Sequence, residues 1–214
     1  MAEVNPALVK QLRDKTNAGM MDCKRALVET HGDLERAEDL LRKEGIATAS
    51  KKASRSAKEG IIASYIHFQG KIGVLVEINC ETDFVAKNEK FCQFVKDVTL
   101  HIAAAHPLFV SRDKVPAIAI ERERAIYRDQ VKDKPENVVE KIANGKLDKY
   151  FARVCLLDQA FIKNADQTVA DLVSSKIAEL GENIVIRRFT RYIVGEDLEV
   201  EAMAPGDEAI TTAA

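Results

Sequence analysis

The chain has 214 residues, 46% of them hydrophobic and 31% charged, with a formal net charge of −2. That balance suits a soluble protein with a real core, and it argues against a nucleic-acid binder, whose affinity rests on a positive footprint against phosphate. No apolar run nears the roughly 18 residues of a membrane span. The start, Met1-Ala-Glu-Val-Asn-Pro6, lacks the basic and apolar segments of a signal peptide, so no membrane is expected and the cytoplasm is the expected compartment. Cys23, Cys80, Cys92 and Cys155 are scattered without metal-ligand spacing, and Cys80 continues an apolar strand face, as a reduced buried thiol does. His101 and His106 stand five apart, whereas a two-histidine zinc site needs four. No metal and no cofactor is expected.

Residues 1–47 read as three short helices. Asn5-Pro6 supplies an N-cap and a first-turn proline, with Leu8, Val9 and Leu12 on one face. A second helix holds Met21, Cys23, Ala26 and Leu27 and ends near His31-Gly32. Asp33 caps a third, with Leu34, Ala37, Leu40 and Leu41 inward, and Gly45 is read as its end. Met20 and Met21 open the second helix. Methionine fills core gaps, so at least one of the pair is expected to be buried and the other to stay on the surface. Residues 48–59, with Lys51, Lys52, Arg55 and Lys58, read as a basic flexible linker.

An α+β core is expected over residues 60–195. Ile61–Phe68 and Lys71–Cys80 form a hairpin about Gln69-Gly70, and Phe91, Phe94, Val95, Val98, Ile102 and Ala105 share one face of a helix ending before Pro107. Further helices are expected at about 117–132 and at 136–144, closed by Gly145, then over Leu147–Leu157. Thr168-Val-Ala-Asp171 starts a helix with a capping box. Residues 183–194 read as a strand, although Arg187, Arg188 and Arg191 leave neither of its faces plainly inside or outside. The economical solution adds this strand to the hairpin as a three-stranded antiparallel sheet covered by helices. Residues 196–214 are read as an acidic mobile tail.

Between the hairpin and the long helix lies Thr82-Asp83-Phe84-Val85. Phe84 precedes Phe91 by seven residues, so the pattern allows a buried ring. Most large aromatics are buried, which favours that reading, although a strand-to-helix joint can present exposed side chains to a partner. No Gly-rich phosphate loop, nucleophile motif or paired carboxylates stand out, so nothing asks for an enzyme. Composition and spacing stop at an α+β protein with a tethered helical module.

Three segments carry a resemblance beyond that. Residues 8–27 (LVKQLRDKTNAGMMDCKRAL), 72–88 (IGVLVEINCETDFVAKN) and 181–189 (GENIVIRRF) are similar to segments of the bacterial elongation factor Ts family. The similarity spans residues 1 to about 195. It implies guanine-nucleotide exchange on elongation factor Tu in protein synthesis, without covalent chemistry, and a ubiquitin-associated-like fold for the N-terminal helices. It assigns Thr82, Asp83, Phe84 and Val85 to dislodging the magnesium ion that holds GDP on the partner. Arg13, Met20 and Met21 are implied contacts to the partner's nucleotide-binding domain, and His67, in Ser64-Tyr-Ile-His67, a contact to another domain. Longer family members carry two related core halves. This chain carries one, which implies a homodimer, expected through strand edges bearing Phe189 or Ile193.

Overall fold

The computed structural model describes residues 5–16 and 18–196. The segment expected to be an acidic tail lies, beyond Glu196, outside the described residues. Helix α1 (Pro6–Thr16) starts where the Asn5 side chain accepts the Ala7 N–H at 2.9 Å. Helix α2 (Met20–Glu29) ends at His31-Gly32, both at positive φ, and the Gly32 N–H returns to the Leu27 carbonyl at 2.8 Å. Asp33 caps α3 (Leu34–Lys52) by accepting the Arg36 N–H at 3.1 Å. Val9, Leu12, Cys23, Ala26, Leu27 and Ala37 form the small core of this bundle.

Helix α3 corrects two expectations. Gly45 does not end it: the residue keeps a helical backbone and is buried beside α8 (Val169–Leu180), facing the Ser174 carbonyl. Residues 48–52, read as the start of a flexible linker, are its last turn. The Lys52 ammonium reaches the Gly181 carbonyl, and only residues 53–58 remain before the first strand.

Strands β1 (Glu59–His67) and β2 (Ile72–Cys80) form the expected hairpin, closed by the Lys71 N–H on the Phe68 carbonyl with Gln69-Gly70 at the centre. A short hairpin, β3 (Ala160–Phe161) with β4 (Asn164–Thr168), has no counterpart in the sequence reading. Strand β5 (Val185–Ile193) joins the free edge of β2, giving an antiparallel sheet in the order β1-β2-β5. A bulge sets Arg187 and Arg188 together against Glu77, with the Arg188 Nε 2.7 Å from that carboxylate. The extra residue resets the alternation, so Ile186, Phe189 and Arg191 all face inward while Arg188 faces out. Arg191 donates from Nε and one terminal nitrogen to the Ala103 carbonyl, at 3.3 and 3.2 Å.

The inner face of the sheet packs on α5 (Glu89–Ala105) and α8. Val74, Val76 and Ile78 meet Phe91, Phe94, Val95, Val98 and Ile102 in the main core. Phe189 and Ile193 sit on β5, an edge strand of the sheet as expected, with their side chains partly buried on its inner face. The outer face carries Ile62, Ile66, Leu75 and Tyr192 in the open, so helices cover one side of the sheet only. Helices α6 (Ala117–Asp129) and α7 (Glu136–Val154) pair over a third cluster containing Leu147, Phe151 and Val154. Gly145 does not close a helix at 144. Val139, Ala143, Leu147 and Phe151 keep one buried stripe across it, and that packing outweighs a glycine penalty of about 1 kcal/mol.

His101 is wholly buried on α5, beside Phe161. Its Nδ1 accepts the Ile162 N–H at 3.3 Å, so Nε2 carries the proton and donates to the Gln159 carbonyl oxygen at 2.9 Å. Burial pushes the imidazole below its ordinary range, and the Gln159 bond only partly opposes this. Below about pH 6.5 the unfolded chain takes a proton that the fold refuses, so stability is full above that value and falls with pH toward the lowered folded-state value. Between pH 7.5 and 5.5 denaturant unfolding should lose up to about 1.4 kcal/mol through this residue. His101→Gln should flatten that slope.

Candidate partner-binding surface

Strand β2 ends at Cys80, and two residues later the chain turns into a single helical turn, α4 (Asp83–Ala86). Thr82 caps it: the hydroxyl oxygen accepts the Val85 N–H at 3.3 Å. Asn88 then caps α5 by accepting the Lys90 N–H at 2.9 Å. Because both starts are capped, four residues are held in one orientation between strand and helix. Val85 and Ala86 point into the core. Phe84 points the other way, 77% exposed, so its spacing to Phe91 does not extend the buried stripe. Asp83 lies beside the ring and pairs with the Lys87 ammonium at 2.7 Å, a bond that holds its carboxyl below the usual carboxylate range. The site therefore presents an apolar ring next to the Asp83–Lys87 ion pair on a short, fixed helix.

The bundle presents a second apolar spot. Met20 and Met21 are both exposed, at 55% and 74%, which corrects the expectation that one would be buried. The covered stripe of α2 begins at Cys23, so the turn ahead of it stays in water. Val28, seven residues after Met21 and also exposed, extends this spot, with Lys24 and Arg25 beside it. Arg13 is exposed on α1. His67 is at the far end of the hairpin from Phe84, since Glu59 pairs with Cys80 and His67 with Ile72. At about 3.3 Å per residue the two ends are roughly 25 Å apart. There the Tyr65 hydroxyl meets His67 Nδ1 at 2.9 Å, the two rings stack at 5.5 Å, and the exposed Phe68 follows with φ 55°. The structure thus gathers Thr82–Val85 into one site and keeps Met20-Met21 and His67 at two others.

Among the described residues no group of three or more histidines, cysteines, aspartates and glutamates is placed to hold a metal ion, and no helix is long and apolar enough to cross a membrane. Cys80 is a free, buried thiol, pushed up to about 11 chiefly by its burial. The family described as Elongation factor TS matches residues 43–196. The elongation factor Ts of Geobacter sulfurreducens is 54% identical over 198 residues, 92% of each chain. The chain belongs to the elongation factor Ts family. Other family members agree: that of Citrifermentans bemidjiense is 56% identical over 197 residues, 91% of each chain. That of Syntrophus aciditrophicus is 54% identical over 198 residues, 92% of this chain and 98% of its own. Membership places the chain among translation elongation factors.

Val28 and Phe68 were missed by sequence reasoning. The one signal for Val28 was its place seven residues after Met21. Phe68 was read as an ordinary strand residue, and the left-handed backbone that turns it out follows from the tight turn beside it. The opposed orientations within α4 give a direct check. Phe84→Ala should change the folding free energy by no more than about 0.5 kcal/mol, as an exposed substitution does. Val85→Ala, which removes two buried carbons from the next position, should cost about 1.6 kcal/mol. Urea unfolding of the two variants reads both.

Proposed function

We propose that this chain is the guanine-nucleotide exchange factor of elongation factor Tu, with Phe84 as its wedge. The observation that carries the reading is the ring itself: a large aromatic left in water on a helical turn whose two following residues are buried. Leaving such a ring exposed forgoes about 1.5–3 kcal/mol of burial, which becomes available when a partner supplies the crevice. Exchange needs no reacting group. The factor must bind the nucleotide-free partner more tightly than the GDP-bound one, and by linkage GDP weakens its grip in the same ratio.

In this mechanism Phe84 enters an apolar crevice of the partner's nucleotide-binding domain and shifts the segment that supports magnesium and phosphate. Were all of its burial differential, one ring would supply roughly ten- to a hundredfold in GDP affinity. Larger effects need further contacts. Met20, Met21 and Arg13, on a bundle we read as ubiquitin-associated-like, would brace the same domain, and the Tyr65–His67–Phe68 end of the hairpin would hold another. Thr82 and Val85 orient the ring, one as cap and the other as anchor. Timing release of labelled GDP from loaded elongation factor Tu tests this. Phe84→Ala should slow release at least about tenfold at unchanged melting temperature, whereas normal release with that variant would refute the wedge.

The single core half supports a homodimer. The exposed face of the sheet, with Ile62, Ile66, Leu75 and Tyr192, suits that use better than an edge, because two sheets can pack face to face about 10 Å apart. Leu75→Glu should therefore shift the sedimentation mass from two chains to one. A chain that sediments as one copy before substitution counts against the dimer.

A further inference from the structure

We propose that Glu182 is a positioning residue for Phe84, clamping the two residues ahead of the one-turn helix. The proposal rests on the exchange-factor reading above. Glu81 and Thr82 lie past the end of β2, and β5 starts only at Val185, so their N–H groups have no ladder partner. Glu182 meets both. One carboxylate oxygen accepts the Glu81 and Thr82 N–H groups, each at 3.0 Å, and the other accepts the Thr82 hydroxyl at 2.6 Å. Three donors from two consecutive residues converge on one charged group, and the hydroxyl bond at 2.6 Å lies in the short range of charge-assisted hydrogen bonds. The clamp also orients the cap. With its proton committed to Glu182, the Thr82 hydroxyl offers a lone pair to the Val85 N–H, and that bond starts the turn carrying Phe84.

The tie is reciprocal. Glu81 accepts the Asn183 N–H at 2.6 Å and lies 3.6 Å from the Arg55 guanidinium. The Asn183 side chain is buried, and its amide donates to the Arg55 carbonyl at 2.8 Å. Lys52, the last residue of α3, reaches the Gly181 carbonyl. Residues 181–183 therefore fasten the start of α4 on one side and the end of α3 on the other. The methionine-bearing bundle and the ring of Phe84 are referred to one loop. Nothing in the sequence joins Glu182 to Thr82, which lie 100 residues apart.

The experiment measures GDP release from elongation factor Tu at saturating factor, with Glu182→Ala and Glu182→Gln, each in the native and the Phe84→Ala background. Glu182→Ala should lower the saturated rate about tenfold or more, as misplacement of a contact group by a fraction of an ångström does. Glu182→Gln should restore most of the rate, because its amide oxygen can still accept both N–H groups. In the Phe84→Ala background Glu182→Ala should add nothing further, since its effect passes through the ring. An unchanged saturated rate with Glu182→Ala overturns the clamp, and so does a loss that persists in full without the ring. Should Glu182→Ala fail to fold, Glu182→Asp, too short to span the gap, is read by the same criteria. Slow release with Phe84→Ala but normal release with Glu182→Ala defeats the clamp alone, and normal release with Phe84→Ala defeats the exchange reading beneath it.

Discussion

The structure depends on a single strand being held from both sides. β2 is hydrogen-bonded to β1 along one edge and β5 along the other, and its inward residues Val74, Val76 and Ile78 are almost wholly buried. A slip of one residue would turn all three to the solvent, so the hydrophobic pattern fixes the register. The register in turn fixes where the strand stops. It ends at Cys80, at the rim of the core, and the chain has to turn there before α5 can lay Phe91 and Phe94 against the same sheet. Thr82 to Val85 occupy that turn. Exposure of Phe84 is thus a by-product of two well-packed elements meeting at a fixed angle.

Most of this was legible where local chemistry and tertiary packing agree. The alternation of Ile72 to Cys80 and the Asn5, Asp33 and Thr168 caps follow from short-range patterns, and the joining of β5 from the marginal stability of a lone hairpin; the structure has each of them. The resemblance to the elongation factor Ts family implied what no periodicity could supply, an expected role for Thr82 to Val85. Spacing alone favours a buried Phe84, in line with Phe91, whereas the ring is exposed. Only the one-turn helix, with Val85 and Ala86 turned inward, resolves its direction.

The misreadings share a cause. By sequence alone Gly45 and Gly145 read as helix ends, because glycine ends helices when it adopts a left-handed backbone, yet both sit in continuous helix. Their neighbours decide the matter: α8 covers Gly45, and the stripe from Val139 to Phe151 runs past Gly145. The arginines of β5 obscured its faces because a bulge at Arg187 shifts the alternation by one, and a bulge has no compositional mark. Residue type puts one of the two methionines inside, whereas burial is set by what lies opposite, and among the described residues nothing covers the side of α2 that carries Met20 and Met21.

Continuity of α3 has a mechanical consequence. A helix of 19 residues, about 28 Å long, joins the bundle to the loop that anchors α4 without an intervening hinge. A tool whose two jaws share one stiff bar cannot relax by closing on itself. Under the proposed function, a client that meets both the methionines and Phe84 would have to absorb any misfit between their spacing and its own resting shape.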